Sequence, residues 1–321
     1  MRPRGGAGAR VGKGRIVSLD GIDGATGDSR GARGAIPRAA ACAGRRMRRA
    51  RFFAYRPAVY SLVLLSLVLA ISLGAPLFAP HGRDAIDLDR LLAPPSADHP
   101  LGTDELGRDT LTRVIYAGRY SLLVAFAAVS IAAAIGVLAG AAAGFFGGAV
   151  DAGVAIAIDL FLSVPVFLVL LAAAAAAGER LWLIPVIIGA ASWVETARVV
   201  RSLVQSLGER GFVDAARAIG AGRMRLLARH LLPGAMPAVI VAATTGFAQA
   251  MIAESALSFL GFGVQPPAPT WGNMLQNAHL FIREAPVAAF APGFMIFITC
   301  LAFHYAGEGL RRTLAAGDSG H

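Results

Sequence analysis

Six long apolar stretches constrain the fold of this chain more than any other feature. Each is near or above the ~20 residues that a helix needs to cross about 30 Å of hydrocarbon. Lipid cannot satisfy backbone amides, and the sequence lacks the even alternation of a membrane β-barrel, so each stretch is predicted to be a helix. The stretches cover residues 58–79, 121–146, 150–177, 181–200, 235–260 and 287–307. The predicted fold class is therefore all-α, a polytopic membrane protein with six transmembrane helices.

Charge is scarce and unevenly placed. Only 16% of the residues are charged, against about 25% in soluble domains, which indicates that lipid covers much of the surface. Residues 1–51 hold 13 Lys/Arg and 3 Asp/Glu, whereas the rest of the chain holds 17 of each. The net charge of +10 thus precedes the first apolar stretch, which favours a cytoplasmic anchor over a nucleic-acid-binding face.

The basic segment 1–51 shows no hydrophobic period and is predicted to be disordered. A further hypothesis is that translation begins at Met47, just before the first span. The predicted organisation continues with an N-terminal helix and extracytoplasmic segment (52–116), a transmembrane core (117–310) and a cytoplasmic tail (311–321).

The loops between the spans set the expected orientation. Residues 81–120 contain five Arg and seven Asp/Glu, whereas residues 201–231 contain six Arg and two acidic residues. Because Lys and Arg concentrate in cytoplasmic loops, this bias places both termini and residues 201–231 in the cytoplasm.

Two sequence patterns predict how the spans pack. Gly136, Gly140 and Gly144 recur every four residues, so one helix face is bare and a neighbouring helix can approach closely. Pro165 is expected to kink the third span, because it lacks an N–H group and clashes with the preceding turn.

The loop from 212 to 233 is the most informative segment. Asp214 is expected near a helix N-terminus, where the helix dipole favours an anion. Gly220 is expected to end this helix in a left-handed conformation, and a second amphipathic helix is expected to end at Pro233. Its arginines would lie near the headgroups, with Met224, Leu227 and Leu231 toward lipid or protein. The product would be a small-residue helix that fits a groove on a soluble partner, although a basic loop that only binds anionic lipid is the alternative.

This loop resembles the EAA loop of ABC-importer permeases, with Asp214 in place of the usual Glu. The segments 99–109, 254–267 and 270–275 resemble the C-type permease of dipeptide, oligopeptide and nickel ABC importers. The resemblance extends from about residue 48 to 314 and implies a type I ABC-importer permease fold in the cell membrane. In that family the loop docks on the ATPase subunit. The residues that this assigns to coupling are Asp214, Ala215, Ala216, Arg217, Gly220, Leu232 and Pro233.

The resemblance also implies the partners. They are a second homologous permease subunit, two cytoplasmic ATPase subunits and an extracytoplasmic solute-binding protein. No cofactor is expected on this chain, because ATP is used by the partner subunits. The sequence contains no P-loop and its single lysine is Lys13. It shows neither a catalytic motif nor metal-ligand spacing, so the chain is predicted to be neither an enzyme nor a metal-binding protein.

Acidic residues within the spans are candidates for the translocation path, because a charge at the membrane centre costs at least ~2.5 kcal/mol. The candidates are Asp159 and Glu254, together with Ser258. Glu195 is a further intramembrane acid. The alternative is that these acids lie near span ends or pair with Arg198 or Arg201.

Two other classes of protein remain open at this point. An ion- or proton-coupled secondary transporter could use Asp159 or Glu254, although no internal repeat is evident. An intramembrane enzyme would need a facing nucleophile–base pair or metal ligands, and the sequence offers no convincing one.

Overall fold

The structure, a computed structural model, describes residues 55–178 and 182–318, and its regular elements are helices. In chain order these are α1 (Arg56–Leu73), α2 (Ala75–Phe78), α3 (Thr110–Phe146), α4 (Gly148–Ser163), α5 (Val166–Ala177), α6 (Leu183–Ala191), α7 (Trp193–Gly208), α8 (Gly211–Ala218), α9 (Arg223–Leu226), α10 (Leu232–Phe259), α11 (Trp271–Ala278) and α12 (Pro286–Asp318). A 3-10 turn covers Leu88–Arg90 and a π turn covers Leu227–Leu231. The all-α fold is confirmed, whereas the predicted disorder of residues 1–51 and the hypothesis about Met47 fall outside the described residues.

The apolar helices are continuous in four cases and broken in two. Among the described residues, Arg56–Leu73, Thr110–Phe146, Arg223–Phe259 and Pro286–Leu314 are each long and apolar enough to cross a membrane. The pairs α4–α5 and α6–α7 reach that length only together, and they bend by 84° and 44°. The described part of the chain therefore contains four candidate spans, or up to six if each bent pair crosses once.

The predicted kink at Pro165 is confirmed and is larger than a simple kink. Pro165 caps the N-terminus of α5, and Val164 before it is extended, with ψ 137°. This follows from the proline ring, which disfavours the helical conformation in the preceding residue. The third apolar stretch is thus two helices at a steep angle.

The second span is longer than its apolar stretch predicts. α3 begins at Thr110 because the Asp109 carboxylate accepts a hydrogen bond from the Thr112 amide at 2.8 Å. Its 37 residues extend about 55 Å, well beyond the ~30 Å of hydrocarbon. The predicted boundary between residues 116 and 117 falls inside this continuous helix.

The glycine face of α3 packs on α7, as predicted. A Cβ atom at Gly136 would lie 2.8 Å from the Trp193 carbonyl oxygen, and one at Gly144 would lie 2.6 Å from the Arg201 carbonyl oxygen. Glycine is needed there because the backbone of α7 occupies the space of a side chain.

Trp271 fixes the segment after α10 against α3. Its side chain is fully buried, its indole N–H donates to the Val114 carbonyl at 3.0 Å, and its amide donates to Ser121 Oγ at 3.1 Å. Both bonds join residues about 150 positions apart in the chain, so the start of α11 is held against α3.

An ion pair joins α4 to α7. Two nitrogens of the Arg201 guanidinium donate to the Asp151 carboxylate: Nε bonds to Oδ1, and Nη2 lies 2.7 Å from Oδ2. We expect Arg201→Asp to lower the thermal midpoint of the detergent-purified protein through a loss of about 1 kcal/mol, and Asp151→Arg in the same chain to restore much of it. Arg198→Asp is the control, because Arg198 is exposed and has no ion pair among the described residues. An equal loss in the control, or no rescue, would contradict the role of this pair.

Candidate functional site

The candidate coupling segment begins with the short helix α8. Val213 is 0% exposed and packs with Val200, Val204 and Leu226 beneath the bundle. By contrast, Asp214 and Ala215 are exposed, and Asp214 lies in the first turn as predicted. A single buried valine thus anchors a helix whose small-residue face is open to solvent.

The turn after α8 has the predicted left-handed glycine. Gly220 has φ +85°, the Ala221 amide donates to the Ala216 carbonyl at 3.0 Å, and the Gly220 amide donates to the Arg217 carbonyl at 3.0 Å. These are the two hydrogen bonds of a Schellman motif, which satisfies the last carbonyls of a helix. Next to it, Ile219 is 87% exposed, so an apolar side chain stands at the tip of the segment.

The prediction that the second helix ends at Pro233 is wrong. α9 runs through the π turn Leu227–Leu231 directly into α10, and Pro233 lies in the first turn of α10. The Leu232 amide donates to the Leu227 carbonyl, five residues back. A π turn accommodates the proline because the widened backbone avoids the clash that an α-helical turn would produce.

The three apolar side chains predicted to lie toward lipid or protein differ in burial. Leu227 and Leu231 are buried, whereas Met224 is 63% exposed and the neighbouring Leu226 is buried instead. Leu227 and Leu231 therefore face protein, whereas the exposed Met224 is open to contact with lipid.

A cavity of about 490 Å³ lies between the end of α3 and this segment. Its lining residues are Phe145, Phe146, Arg217, Ala221, Arg223 and Leu226. The cavity combines aromatic and guanidinium groups beside the exposed face of α8.

The structure brings two of the predicted path residues together and leaves the third apart. Glu254 is 0% exposed, and its Oε1 accepts a hydrogen bond from Ser258 Oγ at 2.8 Å. Asp159 lies on α4 with an exposed side chain and has no hydrogen bond or ion pair in the described part of the chain. The role of these three residues in a path stays a prediction.

The alternative interpretation of the intramembrane acids is wrong in one respect. Arg201 pairs with Asp151, not with Asp159, Glu195 or Glu254. Glu195 is exposed on α7 and lines a small recess between α3 and α10.

Sequence reasoning missed a cluster in the segment between α2 and α3. His81, His99 and Asp109 each offer one ligand atom, and these atoms lie within 4.8 Å of one another. Gaps of 18 and 10 residues match no metal-binding motif, so only the folding of the segment reveals the cluster.

Several helices that are long and apolar enough to cross a membrane define a multi-pass membrane protein. Residues 136–314 match the family model for the binding-protein-dependent transport system inner membrane component, and residues 44–95 match the N-terminal transmembrane domain of oligopeptide transport permease C. The chain belongs to this family of ABC-importer permeases. It is therefore a transport component and not an enzyme, and such permeases work with ATPase and solute-binding partners.

Similar proteins cover most of the chain. A putative peptide permease of Brucella suis is 40% identical over 81% of this chain and 87% of its own length. The dipeptide permease DppC of Alkalihalophilus pseudofirmus is 37% identical over 80% and 84%, and the nickel permease NikC of Escherichia coli K12 is 36% identical over 78% and 91%.

Proposed function

We propose that this permease imports short peptides, and that ATP hydrolysis drives it through the segment from Asp214 to Gly220. The observation that carries the proposal is α8 itself, an exposed helix of small residues that is anchored by Val213 and closed by a left-handed Gly220. A helix with small side chains can enter a groove on a partner, and movement of that partner is then transmitted to the bundle.

The mechanical route follows from the packing of α8. Val213 belongs to the same buried cluster as Val200 and Val204 of α7 and Leu231 of the π turn. The π turn continues into α10, and α7 also packs on the glycine face of α3. A displacement of α8 can therefore reach α7, α3 and α10. ATP binding would close the ATPase pair, move α8 and rock the spans between inward- and outward-open states.

The proposed assembly contains a second homologous permease subunit, two ATPase subunits and a solute-binding protein. Exposed apolar side chains on α4 and α5 support a membrane or partner contact there, among them Ile156, Leu160 and Leu168. The proposed orientation places both termini and α8 in the cytoplasm, which is supported by the excess of arginine around α8.

The path residues are proposed with two different tasks. Asp159 is the candidate for direct contact with solute, because its carboxylate is exposed on a membrane helix without a partner in the described residues. Glu254 and Ser258 are enclosed together, so they are candidates for holding α10 in place beside the path.

Peptides are proposed as the substrate class because relatives at 40% and 37% identity are named peptide and dipeptide permeases. A nickel complex is the second candidate, since a relative at 36% identity is a nickel permease. Selectivity in such importers lies largely in the separate solute-binding protein.

Uptake by the reconstituted importer tests this function. We expect proteoliposomes with internal ATP to accumulate a labelled dipeptide when the solute-binding protein is present, and to continue after ionophores collapse ion gradients. Omission of ATP should stop uptake. Uptake that follows the ion gradient and ignores ATP would instead identify a secondary transporter, and parallel assays with Ni²⁺ separate the two substrate classes.

A further inference from the structure

Three potential metal ligands converge in the segment between α2 and α3. His81 follows α2, His99 lies in the loop, and Asp109 caps the N-terminus of α3. His99 Nδ1 is 3.0 Å from Asp109 Oδ1, and His81 Nδ1 is 3.9 Å from Asp109 Oδ2. The two imidazole rings stack with their centroids 4.7 Å apart, and Nδ1 of each ring lies within 4 Å of an oxygen of the same carboxylate.

The spacing suits a small transition-metal ion. Ligand atoms that bind at about 2.0–2.2 Å in a tetrahedral arrangement lie roughly 3.3 Å from one another. The His99 Nδ1–Asp109 Oδ1 distance of 3.0 Å is close to this value, and the ligand atoms of all three residues lie within 4.8 Å of one another. Imidazole nitrogen with one carboxylate is a donor set that suits Zn²⁺, Ni²⁺ and Cu²⁺ but not Mg²⁺.

Neighbouring hydrogen bonds fix the Asp109 carboxylate and the backbone that carries the two histidines. The Thr112 amide donates to Asp109 Oδ2 at 2.8 Å, and the His81 amide donates to Thr112 Oγ1 at 3.3 Å. The His99 amide donates to Ser96 Oγ at 3.1 Å. The positions of the three ligands are thus set by the local fold of the loop and the start of α3.

The three ligand side chains differ in their exposure to solvent. The Asp109 side chain is 0% exposed and that of His99 is 9% exposed, whereas His81 is 37% exposed. An ion can therefore enter from the His81 side, and water can complete its coordination there. The buried carboxylate supplies the negative charge that attracts a cation.

Capping of α3 explains only part of this arrangement. Asp109 caps the helix with Oδ2 and needs no histidine for it, and one hydrogen bond to His99 would satisfy Oδ1. The second histidine, stacked on the first and facing the carboxylate, has no part in the cap.

We propose that His81, His99 and Asp109 form a binding site for one divalent transition-metal ion of the Zn²⁺ and Ni²⁺ class. The ion would bind in place of the direct contact between His99 Nδ1 and Asp109 Oδ1. It would join the segment after α2 to the start of α3, and so stabilise this loop. The proposal concerns a site on the permease chain itself and does not depend on which solute is imported.

Metal titration of the full chain tests the proposal. The protein is purified in detergent without a polyhistidine tag and titrated with ZnCl₂, NiCl₂ and MgCl₂ by calorimetry. We expect saturable binding of one Zn²⁺ or Ni²⁺ ion per chain and none of Mg²⁺. The H81A variant should bind at least about tenfold more weakly. H304A is the matched control, because His304 is exposed on α12 and remote in sequence, and its binding should equal that of the wild type.

Two further measurements keep the test decisive. His81 is the most exposed of the three ligands, so H81A should fold, and an unchanged elution volume on size exclusion would confirm this. The visible spectrum of the Co²⁺-loaded chain should show d–d bands that H81A loses and H304A keeps. Absence of saturable binding in the wild type, or equal affinity in H81A, would overturn the site. Neither measurement involves ATP or uptake, so its failure is distinguishable from failure of the transport proposal.

Discussion

Gly140→Leu is expected to prevent the accumulation of folded protein in the membrane. A Cβ atom at this position would overlap the carbonyl oxygen of Ala197 and lie 2.9 Å from Cβ of Val200. Backbone of α7 is the obstacle, so a change of side-chain rotamer cannot relieve the clash. The two helices would have to separate along their interface, at an expected cost of about 3 kcal/mol or more.

Gly153→Leu is the matched control for this prediction. Gly153 also lies within a membrane helix, but no atom lies within 4 Å of the position that its Cβ would take. We expect it to change stability by less than about 0.5 kcal/mol. The measurements are monodisperse yield on size exclusion and the thermal midpoint in detergent. Equal behaviour of the two variants would contradict the close approach of α3 and α7.

Gly220→Trp is expected to abolish ATP-driven uptake while the chain still inserts and folds. Gly220 has φ +85°, a conformation that costs a residue with a side chain about 1–2 kcal/mol. No atom lies within 4 Å of the position that its Cβ would take, so a side chain can leave the backbone there without a clash at Cβ. The damage is confined to the turn and to the surface proposed to meet the ATPase.

Gly220→Asn tests whether the loss of uptake comes from the bulk of tryptophan and its unfavourable left-handed backbone, or from any side chain at this position. Asparagine tolerates the left-handed conformation and is much smaller than tryptophan, so we expect most of the uptake to remain. The assays are dipeptide uptake in proteoliposomes, ATPase stimulation by the solute-binding protein, and co-purification of the ATPase subunits. Normal uptake in Gly220→Trp would reject the coupling role, as would labelling that places residues 212–233 on the outer face.

Local features of the site were predictable from sequence because they depend on short-range sterics. Gly220 ends α8 in the left-handed region because a residue without Cβ adopts that conformation at little cost. Asp214 lies in the first turn of α8, and Pro165 breaks the third apolar stretch, for equally local reasons. By contrast, the continuation of α9 through Leu227–Leu231 was missed, because a π turn that accommodates Pro233 has no distinct sequence pattern.

Contacts between distant residues were not predictable in the same way. Trp271 bonds to Val114 across 157 positions, and Arg201 pairs with Asp151 across 50. Sequence reasoning considered Arg201 as a partner for other acids, because charge and hydropathy place a residue in a helix but do not identify the neighbouring helix.

The sequence by itself determined that this protein is a bundle of membrane helices with a basic loop of small residues, since hydropathy and turn chemistry act over a few neighbouring positions. Only the tertiary structure decided the 84° break between α4 and α5, the burial of Val213 and Glu254, and the meeting of His81, His99 and Asp109. Those features depend on how whole helices and loops pack, and packing energy is shared among residues that lie far apart in the chain.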